Sequence, residues 1–300
     1  MAGLTIMETG GDGVYLDQSA GLHKGETWPT LRYNCENVII RDILCLRNYR
    51  QGMSVIGAVN LTVTGSTFAD TAGTPPAAGV DLEPDSVHQQ LTGIRFSNCT
   101  FRNNSGVAVD IFLLAFQNYT GAAVDIAFER WHIIGGDTST HGGFRLAGVV
   151  QSGPSGLVRV SDTTIEDTFD SGILIEAKQY DRVAARFERC LLRRVATGRA
   201  GMPGWDPVLV AMAPIWIEKL SKFRQFTNMT VGGVELDNVT VVDDRERPFL
   251  RAGVNESIDV GVREITGSVT LTSKFAKGCR PDFGAEATDA AVRCVLASIE

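Results

Sequence analysis

The chain has 300 residues, 28 of them basic and 35 acidic, so its formal net charge at pH 7 is −7. Hydrophobic residues make up 44% and charged residues 21%, which is a globular composition and excludes a disordered or collagen-like chain. Net acidity without a basic tract argues against nucleic-acid binding, and no apolar run approaches the 18 residues of a membrane span.

A short apolar strand with a polar corner residue recurs seven times between residues 38 and 244. Apolar and polar residues alternate within each copy, which is typical of strands with one buried face. Alignment of the copies gives a first inward column of Ile40, Val63, Phe96, Phe128, Val160, Phe187 and Leu236. A second inward column follows the corner and holds Cys45, Phe68, Phe101, Ile133, Ile165, Leu192 and Val241. The corners carry turn-forming residues: Gly65, Asn98, Asp162 and Asn238.

A second kind of strand, usually opened by glycine, lies between these copies. The instances are DGVYLD (12–17), QGMSVIG (51–57), AGVDLEP (78–84), SGVAVDI (105–111), GGFRLAG (142–148) and SGILIEA (171–177), with APIWIEK (213–219) as a looser copy. Two or three short strands in each repeat fit one coil of a parallel β-helix, in which coils stack at roughly 4.8 Å. We therefore predict an all-β fold, a single-stranded solenoid of about eight coils, as one domain over residues 1–300.

Three segments interrupt or end this pattern. Residues 18–34 and 195–231 are predicted to be insertions, and the second is expected to form a flap beside the outer face of the solenoid. Residues 285–299 are rich in alanine, so we expect a short helix within a C-terminal cap over about 279–300. Cys279 and Cys294 flank this segment, and they either form a disulfide or remain free.

The repeated turn-and-strand motif carries a family resemblance. Its copies are Asn37-Val38-Ile39-Ile40, Asn60-Leu61-Thr62-Val63 and Asn238-Val239-Thr240-Val241. With the glycine-opened strands, they make most of the chain resemble the right-handed parallel β-helix proteins of the pectate-lyase-like superfamily, in particular the bacterial β-helix repeat group. The resemblance implies a carbohydrate-active, extracytoplasmic protein, although the first residues, MAGLT, lack the layout of a signal peptide. This fold also hosts proteins without enzymatic activity.

The glycine-opened strands predict one outer face that is rich in carboxylates. With the glycine as position zero, positions +2 and +4 alternate with apolar residues and should point outward. We expect Asp81, Glu83 and Asp110 to be the catalytic residues, with Glu83 and Asp110 in register at roughly 5 Å and Asp81 diagonal to Asp110 at about 7 to 8 Å. Carboxylates this close raise the pKa of one member, which supplies a proton donor near neutral pH. The alternative is a rigid corner with solvated acids.

Further residues of this face and its bordering loops are expected to contact substrate. Arg50 either binds an anionic group of the substrate or pairs with Asp81, and Trp216 offers either a sugar platform or packing for an insertion. The expected substrate-binding set is Asp12, Tyr15, Arg50, Gln51, His88, Arg145, Glu176 and Trp216.

Paired carboxylates and few lysines on this face favour a glycoside hydrolase that acts on a polysaccharide or oligosaccharide and needs no cofactor. One alternative is a polysaccharide lyase or epimerase that binds Ca²⁺ through Glu83 and Asp110. Another is a non-catalytic glycan-binding, tail-fibre or adhesin β-helix. Gly3-Leu4-Thr5-Ile6 already reads as a coil strand, so we also expect oligomerisation or a further N-terminal segment to cover that edge.

Overall fold

The computed structural model describes residues 1–17, 34–136, 142–198, 213–218, 229–253, 261–283 and 287–297. These residues are almost entirely β-strand and connecting turns, and their helical content is limited to short 3-10 helices at Leu114–Phe116 and Ala276–Cys279. In this part of the chain no helix is long and apolar enough to cross a membrane. The all-β prediction is confirmed.

Within the described residues the strands form one sheet of sixteen and one of nine, and all pairings between these strands are parallel. One run of the larger sheet is β1 (Thr5–Met7), β4 (Leu44–Leu46), β7 (Thr67–Ala69), β10 (Thr100–Arg102), β13 (His132–Gly136), β16 (Thr164–Thr168) and β19 (Leu191–Arg193). Its other run is β3 (Cys35–Arg41), β6 (Ala58–Thr64), β9 (Leu91–Ser97), β12 (Val124–Glu129), β15 (Gly156–Ser161) and β18 (Ala184–Glu188). Both runs pair with β21 (Val231–Val242), which is followed by β23 (Val262–Thr272) and β25 (Ala287–Ala297).

The smaller sheet carries the candidate site. Its strands, in order, are β2 (Val14–Leu16), β5 (Met53–Val55), β8 (Val80–Leu82), β11 (Val109–Phe112), β14 (Phe144–Val149), β17 (Ile173–Lys178), β20 (Ile215–Glu218), β22 (Leu250–Ala252) and β24 (Asp282–Phe283). Each coil thus adds one strand to this sheet and one or two to the larger one. Two long parallel sheets built in this way are consistent with a parallel β-helix.

Both predicted inward columns are confirmed. Members of the first column pair in register from Ile40 to Leu236, and members of the second from Cys45 to Val241. All are buried, and they belong to one continuous apolar cluster. Within the second column, rings on neighbouring coils stack on each other, as Phe68 does on Phe101 with ring centroids 5.4 Å apart.

The predicted corner residues hold the backbone bend between the two runs of the larger sheet. Gly65, Asn98, Asp162 and Asn238 all have φ between 51° and 58°. This left-handed conformation is open to glycine and tolerated by Asn and Asp, which explains the residue types at the corner.

The predicted C-terminal helix is wrong. Residues 287–297 form β25, which pairs with β23 from Val262↔Ala287 to Thr272↔Ala297. The edge of β23 offers a row of backbone donors and acceptors, and pairing with that row outweighs the helix preference of alanine. A disulfide between Cys279 and Cys294 fastens this strand to the preceding turn.

Most of the two predicted insertions lies outside the described residues. Of 18–34 the structure describes only residue 34, and of 195–231 it describes 195–198, 213–218 and 229–231. The predicted flap over 195–231 therefore stays a prediction.

Candidate functional site

The outer face of the smaller sheet brings charged side chains from neighbouring coils together. Its central column runs Tyr15, Ser54, Asp81, Asp110, Arg145, Leu174 and Trp216 on consecutive strands. Apolar neighbours on each strand point into the core, so this column points away from it. The sheet thereby places two carboxylates and a guanidinium side by side.

The predicted register of Asp110 is wrong. Asp110 pairs with Asp81 on one side and with Arg145 on the other, and not with Glu83. The strand starts two residues later than predicted, because Ala108 rather than Gly106 occupies the position beside Gly79, and its carbonyl accepts a hydrogen bond from the Val80 amide. Asp81 and Asp110 are therefore direct neighbours at roughly 4.8 Å between backbones, and Glu83 is diagonal to Asp110 at about 7 to 8 Å.

These side chains surround a cleft of about 650 Å³. Its charged lining consists of Arg50, Glu83, Asp110 and Arg145. Its apolar and backbone walls come from Gly73, Pro75, Pro76, Ala77, Ser105, Gly106 and Phe112. The volume falls in the range that small-ligand sites occupy in proteins.

Close backbone contact closes one wall of the cleft. A Cβ atom on Gly106 would lie 1.7 Å from the carbonyl oxygen of Pro76, so only glycine fits between the two chain segments. The Gly106 amide donates to the carbonyl of Ala77 at 2.9 Å, which fixes the 71–77 loop against the sheet. This loop therefore forms a wall of the cleft that also contains Glu83 and Asp110.

Arg145 is the central cation of the site. Its Nη1 donates to both oxygens of Asp110, at 3.1 and 2.9 Å, and its Nε donates to Glu176. The Phe112 ring lies 5.4 Å from the guanidinium carbon. The Arg145 side chain is 12% exposed, and those of Asp110 and Glu176 are 5% and 7% exposed. Charge-assisted hydrogen bonds of this kind hold a buried carboxylate in one orientation.

Asp81 is only 1% exposed and is not one of the residues that line the cleft. Gln51, which is fully buried, donates from Nε2 to Asp81 Oδ2 at 2.6 Å. Burial raises the pKa of Asp81 to about 8, with further contributions from the Asp110 and Glu83 carboxylates, while Gln51 and Arg50 act in the opposite direction. Asp81 therefore keeps its proton to higher pH than an ordinary aspartate does.

Glu83 is half-buried and faces the cleft. Burial raises its pKa, and the Asp110 and Asp85 carboxylates raise it further, whereas Arg50 and a hydrogen bond with the Asp81 side chain lower it. A carboxyl group with a raised pKa at a cleft surface can donate a proton near neutral pH.

Arg50 pairs with Asp12 rather than with Asp81. Its Nη1 lies 3.3 Å from Asp12 Oδ2, and Ser54 Oγ donates to the same oxygen at 2.9 Å. The Arg50 side chain is 37% exposed and that of Asp12 is 7% exposed. Asp12 therefore positions Arg50, and Arg50 is the group that reaches the cleft.

The other predicted substrate contacts have different positions. Gln51, Glu176 and Trp216 are buried: Gln51 holds Asp81, Glu176 holds Arg145, and Trp216 packs on Leu174 and Ala196. Their contact with substrate stays a prediction. Tyr15 is 50% exposed and His88 is exposed, but neither belongs to the cleft lining.

Sequence reasoning missed Phe112 as part of the site. It follows Asp110 by two residues on the same strand and so shares its outward direction. The correct register would have placed it beside Glu83, since Asp110 lies beside Asp81.

Comparisons of the chain with protein-family models, curated proteins and solved structures found no match. In the part of the chain that the structure describes, no group of three or more His, Cys, Asp or Glu side chains is arranged to hold a metal ion.

Proposed function

We propose that the protein is a glycoside hydrolase that acts on a polysaccharide or oligosaccharide, with Glu83 as general acid and Asp110 as general base. One observation carries this proposal: two carboxyl groups of one cleft have opposite environments. Burial and nearby carboxylates favour the protonated form of Glu83, whereas Arg145 donates two hydrogen bonds to Asp110 as a carboxylate. Such a division between two carboxyl groups is what glycosidic cleavage requires.

In this mechanism Glu83 donates its proton to the glycosidic oxygen as the bond to the anomeric carbon breaks. The Asp110 carboxylate takes a proton from the water that attacks the anomeric carbon. A general base that activates water, rather than a carboxylate that attacks the sugar itself, is the arrangement of inverting glycoside hydrolases. We therefore propose inversion at the anomeric centre.

The remaining cleft groups bind and orient the sugar. Arg50 offers a partly exposed cation held by Asp12, and Phe112 offers an apolar ring face beside Arg145. Exposed Tyr15 lies four strands away from Arg145 on the same face and suits a more distant sugar unit.

The family resemblance completes the proposal. From this resemblance we propose that the coil is right-handed, that the protein belongs to the pectate-lyase-like superfamily and that its location is extracytoplasmic. The Cys279–Cys294 disulfide supports that location, because disulfides persist mainly in oxidising compartments.

The contacts of Asp110 favour the hydrolase over the alternative of a Ca²⁺-dependent lyase. Both oxygens of Asp110 already accept hydrogen bonds from Arg145. A divalent cation bound by Glu83 and Asp110 would lie next to that guanidinium, and the two positive charges would repel each other.

The test is a panel of neutral and acidic polysaccharides incubated with the wild type, Glu83→Gln and Asp110→Asn. We expect new reducing ends without an unsaturated product, and a loss of about 10² to 10⁴-fold in rate in each variant. Asp125→Asn, an exposed partner of Arg95, serves as the control and should keep the wild-type rate. Ultraviolet absorbance from an unsaturated product that requires Ca²⁺ would favour the lyase, and binding without cleavage would favour a non-catalytic β-helix.

A further inference from the structure

The contact between Gln51 and Asp81 is buried, and neither residue lines the cleft. Gln51 is 0% exposed and Asp81 is 1% exposed, and the hydrogen bond from Nε2 to Oδ2 measures 2.6 Å. Asp81 Oδ1 is also buried, and no amide, hydroxyl or cationic group of the described residues donates to it. Instead, the Asp81 side chain shares a hydrogen bond with the Glu83 carboxyl group.

This geometry decides where the proton of Asp81 can lie. An amide N–H that donates to Oδ2 requires that oxygen to be an acceptor, so a proton on Asp81 belongs on Oδ1. The proton can then be shared with Glu83, whose carboxyl group forms a hydrogen bond with the Asp81 side chain, because two carboxyl groups in contact need one proton between them.

We propose that Gln51 is a positioning residue that directs the proton of the buried Asp81 carboxyl toward Glu83, and so sets the pH range in which Glu83 is a proton donor. The inference rests on the proposed function for its meaning in catalysis. The distribution of the proton between Asp81 and Glu83 is nevertheless a property of the free protein and needs no substrate.

The surrounding charges determine the direction in which the pKa values of Asp81 and Glu83 change when Gln51 is removed. The groups that act on the pair are the Asp110, Asp85 and Arg50 side chains, and Arg145 acts on Asp110 in turn. Gln51 stabilises the ionised form of Asp81, so its removal makes Asp81 hold its proton more tightly. Asp81 then donates more fully to the Glu83 carboxylate, and Glu83 loses its own proton at lower pH.

The experiment follows the carboxyl ¹³C signals of Asp81 and Glu83 as a function of pH, in the wild type and in Gln51→Met. Asp81→Asn and Glu83→Gln identify the two signals by their loss. In the wild type we expect both groups to titrate above the ordinary acid range. In Gln51→Met the two apparent pKa values of the pair should move apart, each by about half to one pH unit.

Gln179→Met is the matched control, since Gln179 is also a buried glutamine and its side chain accepts from the Thr230 amide. It should leave both signals unchanged. If Gln51→Met does not fold, Asp81→Asn provides the second test: its amide donates to Glu83 permanently, so Glu83 should titrate in one step at lower pH than in the wild type.

Unchanged titration of both groups in Gln51→Met, or a wild-type pair that titrates in the ordinary acid range, would overturn the inference. If instead the shifts occur but no glycan is cleaved, the inference stands and the proposed function fails. If glycans are cleaved, the alkaline limit of the pH–rate profile should fall by the same half to one unit in Gln51→Met.

Discussion

Replacing Asp81 with asparagine should make the protein more stable as the pH rises, relative to the wild type. Asparagine keeps the size of the side chain and can still accept the hydrogen bond from Gln51. It removes a carboxyl group that burial holds protonated in the folded protein. The change therefore isolates the cost of keeping a buried carboxyl at this position.

The magnitude follows from the two pKa values of Asp81, which are 3.8 as the reference value and about 8 in the folded protein. A raised folded-state pKa contributes stability that is fully present below the reference pKa and is lost as the pH rises through the folded-state value. Between the two values the folded state holds about one more proton than the unfolded state, so the free energy of unfolding falls by about 1.36 kcal/mol per pH unit. From pH 5 to pH 7 the advantage of Asp81→Asn should therefore grow by about 2 to 3 kcal/mol.

The assay is urea unfolding followed by far-ultraviolet circular dichroism at pH 5, 6 and 7. Asp162→Asn is the control, because the hydrogen bond from Arg189 lowers the pKa of Asp162 below its reference value of 3.8, so its contribution to stability does not change between pH 5 and 7. The free energy of unfolding of Asp162→Asn should differ from that of the wild type by the same amount at pH 5, 6 and 7. A constant difference between Asp81→Asn and the wild type over this range would refute the reasoning.

Arg145→Met leaves two buried carboxylates without their cation and should destabilise the protein by about 3 to 5 kcal/mol in urea unfolding. The same change at the exposed Arg95 should cost less than about 1 kcal/mol, and equal costs would contradict the assigned burial. Arg193 is the main cause that lowers the pKa of Glu166 to about 2, so Glu166→Gln should lower the melting temperature at pH 7. That difference should close as the pH falls from 4.5 toward 2, and a pH-independent difference would speak against the ion pair. Replacing Cys279 and Cys294 together with alanine should cost about 2 to 4 kcal/mol, and no change would show that the disulfide does not form.

The coil could be predicted from the sequence because each strand repeats the same short-range pattern. Alternation fixes which residues point inward, and a residue that tolerates positive φ marks each corner, as Asn98 and Asp162 do. The order in which the strands stack then follows from the order of the copies along the chain. Both inward columns were therefore predicted residue by residue.

The site could be predicted only in part because it depends on register and on long-range cover. The sequence places the correct acids on the outer face, but two extra residues before Val109 shift Asp110 from Glu83 to Asp81. No local pattern reveals that the 71–77 loop lines the cleft, because that loop reaches the sheet through contacts such as Gly106 with Ala77.

The C-terminal strand escaped prediction for a similar reason. Alanine-rich residues 287–297 have a helical preference when taken alone. The decisive factor is the open edge of β23, which is supplied by residues about 25 positions earlier in the chain.

The central claim is that Glu83 donates the proton in glycosidic cleavage. The most direct measurement is the rate of reducing-end release by Glu83→Gln, relative to the wild type, on a glycan that both proteins bind with similar affinity. The account predicts a loss of about 10² to 10⁴-fold in rate with binding retained. Cleavage by Glu83→Gln at the wild-type rate would contradict it.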